Sequence, residues 1–146
     1  MLEGIASSHL PTVEEAIAAG ADVNTPNGYG VSMLMFAAGY GNTDSDPVQA
    51  KRGKPPTSPE NILIVLALLN AGADPNYMSP AGGTALKTAA FNNRIGTVWV
   101  LFQHGATLSP GQDAHGLSAT EIAKLHQYQE MQELLLMIEA PGNPAD

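Results

Sequence analysis

Four histidines (His9, His104, His115 and His126) and the acidic step Asp44-Ser45-Asp46 are the side chains here that could bind a metal or move a proton near neutral pH. Their spacing argues against both roles. No two histidines stand at i and i+4, where a helix would aim them at one ion, and none has a helical glutamate partner. The acidic step lacks the glycine and terminal glutamate of a calcium loop, so it reads as a solvated acidic segment. An approach of His115 to His126 leaves only a weak hint of zinc binding or a pH switch. Cysteine is absent, which excludes disulfides and thiolate metal sites. Glycine-rich phosphate loops and nucleophile elbows are missing too. The expectation is a protein that is not an enzyme and has no catalytic, cofactor or metal site.

The elements that would carry these residues are short helices. The chain has 146 residues, enough for one domain with a working core. Hydrophobic residues make up 44% and charged residues 14%, a globular composition and not a disordered one. No run approaches the roughly 18 apolar residues of a membrane span. The stretch Met1 to Pro11 has neither the basic start nor the apolar centre of a signal peptide. The expected location is the cytoplasm, or the periplasm if a leader has been removed, with no membrane partner. A net charge of −8 repels a phosphate backbone, so nucleic acid is not expected as a partner.

Self-similarity organises the chain. Gly20-Ala21-Asp22-Val23-Asn24, Gly72-Ala73-Asp74-Pro75-Asn76 and Gly105-Ala106-Thr107-Leu108-Ser109 are versions of one segment. The last two lie 33 residues apart and the first two 52, which is one period plus an insertion of about 19. A second motif precedes each helix pair, beginning at Gly30, Gly82 and Gly116. In it Ser32, Thr84 and Ser118 are placed to cap the next helix. The pairs Ala37-Ala38 and Ala89-Ala90 permit close helix packing, an apolar helix such as Ile62 to Leu69 follows, and Gly72 and Gly105 end it.

This 33-residue pattern resembles the ankyrin repeat over about residues 1 to 139, with residues 140–146 as a flexible tail. The match is strongest in the third unit, at Gly82, Thr84, Leu86, Ala89, Ala90, Gly105 and Ala106. The fourth unit departs most, with Thr120 for the leucine and Lys124 for the second alanine, as in a solvent-facing cap. The resemblance implies an all-α solenoid of four helix-turn-helix units with short hairpin loops, the terminal two acting as caps. It also implies protein binding through a concave surface of hairpin tips and inner-helix faces. On this sequence that surface takes Tyr29, Val31, Tyr40, Met78, Phe91, Asn92, His115, Leu117, Leu125 and His126, with Tyr77 beside it. Exposed aromatics in such a groove are typical binding anchors, although Tyr40 and Phe91 could instead cover the adjacent unit. Tyr29, Tyr40, Phe91 and His115 are expected to align along one groove.

Two features stand outside the repeat. The insertion, about residues 43–58, is aperiodic, proline-rich and carries Lys51, Arg52 and Lys54, half of the basic residues. Loops this long are usually functional or disordered, so it is either a basic contact finger or a tolerated insertion. Trp99, Leu63 and Leu66 fall on outer-helix positions and would form an exposed patch, which the insertion is placed to cover. The functional expectation is a protein that is monomeric when free and binds another protein. Narrower versions are an immunity protein that neutralises a toxic effector and an assembly factor for a neighbouring enzyme.

Overall fold

The computed structural model describes residues 4–5, 9–39, 59–108 and 117–140. Seven helices lie within them: α1 (Leu10–Ala18), α2 (Met33–Ala37), α3 (Pro59–Asn70), α4 (Ala85–Phe91), α5 (Ile95–Gln103), α6 (Ala119–Leu125) and α7 (Gln129–Glu139). No strand occurs among the described residues. The expected all-α fold is the observed one.

The helices form two rows. The short helices α2, α4 and α6 pack side by side as an inner row, and α1, α3, α5 and α7 as an outer row. Each inner helix also packs on the outer helix that follows it. Equivalent positions are buried alike from unit to unit. Val13, Val65 and Val98 share one outer-helix register and are all fully buried, as are Leu68, Leu101 and Leu135 at another. Burying each such side chain contributes roughly 1.5–3 kcal/mol, and the outer helices pack both on the inner helix of their own unit and on neighbouring units.

The sequence signals act as expected at the helix ends. Ser32, Thr84 and Ser118 are N-caps, accepting from the backbone N–H of Met35, Lys87 and Glu121 at 3.2 Å each. Ser118 completes a capping box, since Glu121 accepts from the Ser118 N–H at 2.7 Å. Gly72 and Gly105 close the outer helices with φ of 91° and 90°. The same left-handed geometry falls on Asn93 and Gln127 where the inner helices turn into the outer ones.

A third device ties the units together. The Asn24 side chain donates to the Gly72 carbonyl at 2.9 Å and accepts from the Asp74 N–H at 2.8 Å. One unit later Asn76 donates to the Gly105 carbonyl at 2.9 Å and accepts from the Thr107 N–H at 2.8 Å. Each asparagine thus satisfies a donor and an acceptor of the next outer-helix end.

Candidate functional site

The hairpins that lead into the inner helices are built from their own side chains. Asn27 accepts through Oδ1 from the N–H of Tyr29 at 2.9 Å and of Val31 at 3.0 Å. Its backbone pairs with Val31 and Gly30. Ser79 does the same work one unit on, with Oγ accepting from the Gly83 N–H at 3.1 Å. Gly30 has φ of 74°, and a Cβ there would stand 2.5 Å from Pro80 Cδ. Adjacent hairpins therefore touch backbone to ring, which only glycine permits. This frame holds Tyr29 at the tip, 88% exposed.

The candidate contact residues sort by exposure. Tyr29, Met78, Phe91, Leu125 and His126 present surface, and Leu117 is half-buried. Val31 and Asn92 are buried and offer none. Val31 belongs to the core, because the hairpin turns it inward. Asn92 donates to the Thr88 carbonyl at 2.8 Å and to the Gly39 carbonyl at 3.3 Å, so it joins α4 to the end of α2. Tyr77 is half-buried and its hydroxyl donates to the Gly30 carbonyl at 3.0 Å, which commits it to packing between hairpins. Tyr40, His115, Lys51, Arg52 and Lys54 lie outside the described residues, as does the acidic step at residues 44–46.

The exposed candidates among the described residues stand either on hairpins or at helix ends, and Tyr40 and His115 of the expected line lie outside those residues. Tyr29 sits at a hairpin, at the N-terminal end of the inner row. Phe91, Leu125 and His126 sit at the C-terminal ends of α4 and α6. A helix of seven residues, the length of α4, separates such ends by about 10 Å. At the far end an aromatic cluster forms. Phe91 meets His126 edge-on with ring centroids 5.0 Å apart, and His126 stacks on Tyr128 at 5.4 Å. The Tyr128 hydroxyl donates to the Phe91 carbonyl at 3.4 Å, closing the cluster across two units. Leu125 adjoins it and is 68% exposed. The sequence reading missed Tyr128. The signal was its place two residues after His126, since left-handed Gln127 reverses the chain between them.

The charges are distributed unevenly. Glu14, Glu15, Asp22, Asp74, Glu121, Glu130, Glu133 and Glu139 are exposed, against Lys124 as the one exposed cation among the described residues. Lys87 is buried and its ammonium donates to the Gly82 carbonyl at 3.2 Å. Arg94 is half-buried and donates to the Ala37 carbonyl at 3.1 Å, at the C-terminal end of α2, where a cation suits the helix dipole. Burial lowers the Arg94 guanidinium below its ordinary value. No group of three or more His, Cys, Asp or Glu that could hold a metal occurs among the described residues. Among them too, no helix is long and apolar enough to cross a membrane.

No curated protein matches the chain. The family model for ankyrin repeats (many copies) matches residues 2–45, the first unit and the inner helix of the second. Beyond that stretch the two helical rows, the repeated caps and the asparagine clasps carry the same unit on to Glu139. Residues 2–45 thus match the ankyrin repeat, and the helix pairs that follow them repeat the same build.

Proposed function

We propose that this protein binds a partner protein through its hairpin and inner-helix face, the concave side of an ankyrin stack. Ankyrin repeats are generally protein–protein interaction modules. The observation that supports this use of the face is the cluster of exposed Phe91, His126 and Leu125 with half-buried Tyr128 across the third and fourth units, and Tyr29 exposed at a hairpin. Flat aromatics lose little entropy on docking and dominate interface energetics. The excess of exposed carboxylates favours a partner with basic surface, as an immunity protein that masks a nucleic-acid- or membrane-acting toxin would need.

The test is site-specific photo-crosslinking in cells, with the reactive group at position 29 or 91 and, as control, at Glu15 on the outer row. One partner captured from both face positions and not from Glu15 is the expected result. Replacing Tyr29 and Phe91 together by alanine should then weaken binding to that partner at least about tenfold, because each 1.4 kcal/mol is a factor of ten. Crosslinks from Glu15 alone would move the site to the outer row. The partner's own activity separates the narrower roles: it falls when an inhibitor binds and rises when an assembly factor does.

A further inference from the structure

The outer row has a surface of its own. The unit-to-unit register that aligns Val13, Val65 and Val98 also aligns their outward neighbours, Glu14 on α1, Leu66 on α3 and Trp99 on α5, and continues to Glu133 on α7. Read across the stack, this line runs carboxylate, leucine, tryptophan, carboxylate. A parallel line one turn earlier carries Leu63 on α3, Gly96 on α5 and Glu130 on α7. Leu63 and Trp99 are 46% and 44% exposed, and Leu66 is half-buried. Gly96 keeps the two central helices close: a Cβ there would stand 3.0 Å from Ile62 Cδ1. Leu63 and Trp99 thus flank a place without a side chain. Trp99 is steadied from below by Phe102, with ring centroids 6.1 Å apart.

A soluble repeat domain gains nothing from large apolar side chains on its outer helices, since each unit is already buried against its neighbours from the inner side. On this line they are confined to the two central units and both of its ends are carboxylates, while α7 exposes Leu136 and Met137 at other positions. We propose that the outer row is a second docking surface, for a segment of a partner protein in which one or two apolar anchors are flanked on each side by lysine or arginine. The apolar anchors would seat between Leu63, Leu66 and Trp99, and the flanking cations would face Glu14 on one side and Glu130 and Glu133 on the other. The charge pattern also selects among occupants. A second copy of this face would set carboxylate against carboxylate, and an anionic lipid surface would be repelled by both ends of the line.

This surface is separate from the inner-helix face, and the chain carries a reporter for it alone, since Trp99 is the only tryptophan. The full chain is titrated with a short tryptophan-free peptide of two leucines flanked by lysines, and with its glutamate-flanked counterpart, while Trp99 emission is followed. The expected result is a saturable blue shift with the lysine peptide only. It should weaken about threefold to tenfold in the Glu14→Gln/Glu133→Gln variant, as two exposed charge pairs together allow. It should disappear in Leu63→Ser, a substitution at an exposed position that leaves the helical circular dichroism intact. The Tyr29→Ala/Phe91→Ala variant should respond as the parent does, whatever becomes of the inner-face reading. No shift at millimolar peptide, or an equal shift with the glutamate peptide, overturns the proposal. So does a free chain whose Trp99 emission is already blue and moves red when residues 43–58 are deleted, for the chain itself then occupies the surface.

Discussion

Asn76 holds Gly105: its side-chain amide donates to that glycine's carbonyl at 2.9 Å while its oxygen accepts from the Thr107 N–H two residues on. Asn24 holds Gly72 and Asp74 in the same way. The two clasps are the polar counterpart of the apolar packing between units. An alanine at either position removes these bonds, with that from the Thr107 hydroxyl as well at Asn76, and leaves a carbonyl and an N–H at a helix end to find water. We expect Asn24→Ala and Asn76→Ala each to lower stability by about 1–2 kcal/mol in chemical denaturation. Asn76→Asp should also destabilise, because a carboxylate still accepts from the Thr107 N–H but cannot donate to the Gly105 carbonyl and repels it.

Gly30→Ala tests the contact between hairpins. The substitution meets a left-handed backbone and the Pro80 ring together. Strain and overpacking should destabilise the protein by at least about 2 kcal/mol. Pairing it with Pro80→Ala should recover the clash part of the loss and not the backbone part, which thermal melts of the single and double variants will separate.

Arg94 ends α2 from the neighbouring unit. Arg94→Met keeps most of the apolar stem and removes the bond to Ala37, and we expect a loss of about 1–2 kcal/mol. Although burial lowers its pKa, arginine stays charged through neutral pH. The loss should therefore be the same at pH 6 and at about pH 8, as denaturant midpoints will show.

Asp22 gives the chain an acid-sensitive turn. It accepts from the Asn24 N–H at 2.9 Å and the Thr25 hydroxyl at 2.8 Å, and these bonds hold its carboxyl below its ordinary value. A depressed folded pKa contributes stability that is present above the unfolded carboxylate pKa and lost as pH falls through the folded one. Asp22→Ala should therefore be less stable than the parent at neutral pH, and the gap should close in strong acid. A gap that widens on acidification would show the sign to be wrong. The side chain is exposed, so the effect should be small.

Much of this fold is legible without coordinates because its signals recur at fixed spacing. Ser32, Thr84 and Ser118 cap, and Gly72 and Gly105 terminate, each for a local reason that one residue type satisfies. The contact face was harder to read. Asn92 looks like a surface amide by its repeat position, yet it is buried because Gly39 and Thr88 both offer it carbonyls. Val31 likewise stands at a hairpin position and turns into the core. Which polar or apolar side chain at a given register faces out depends on the neighbouring unit's backbone, and periodicity does not carry that information. Tyr128 was missed for the same reason: its partner His126 is near in sequence, but its bond to Phe91 crosses between units.

The clasps also make the third unit interchangeable with its neighbours. Asn24 grips Gly72 and the N–H two residues later, and Asn76 grips Gly105 and the N–H two residues later. Cutting the chain after Gly72 and rejoining it at Ala106 would present Asn24 with a glycine carbonyl and the Thr107 N–H in the places it already uses. A shortened chain should thus close its seam without a new side chain, at the level of hydrogen bonds if not of core fit. Length in such a molecule is counted in whole turns of a ratchet: removals of one full period keep every tooth engaged, while a removal two or three residues off leaves the asparagine facing a helix flank.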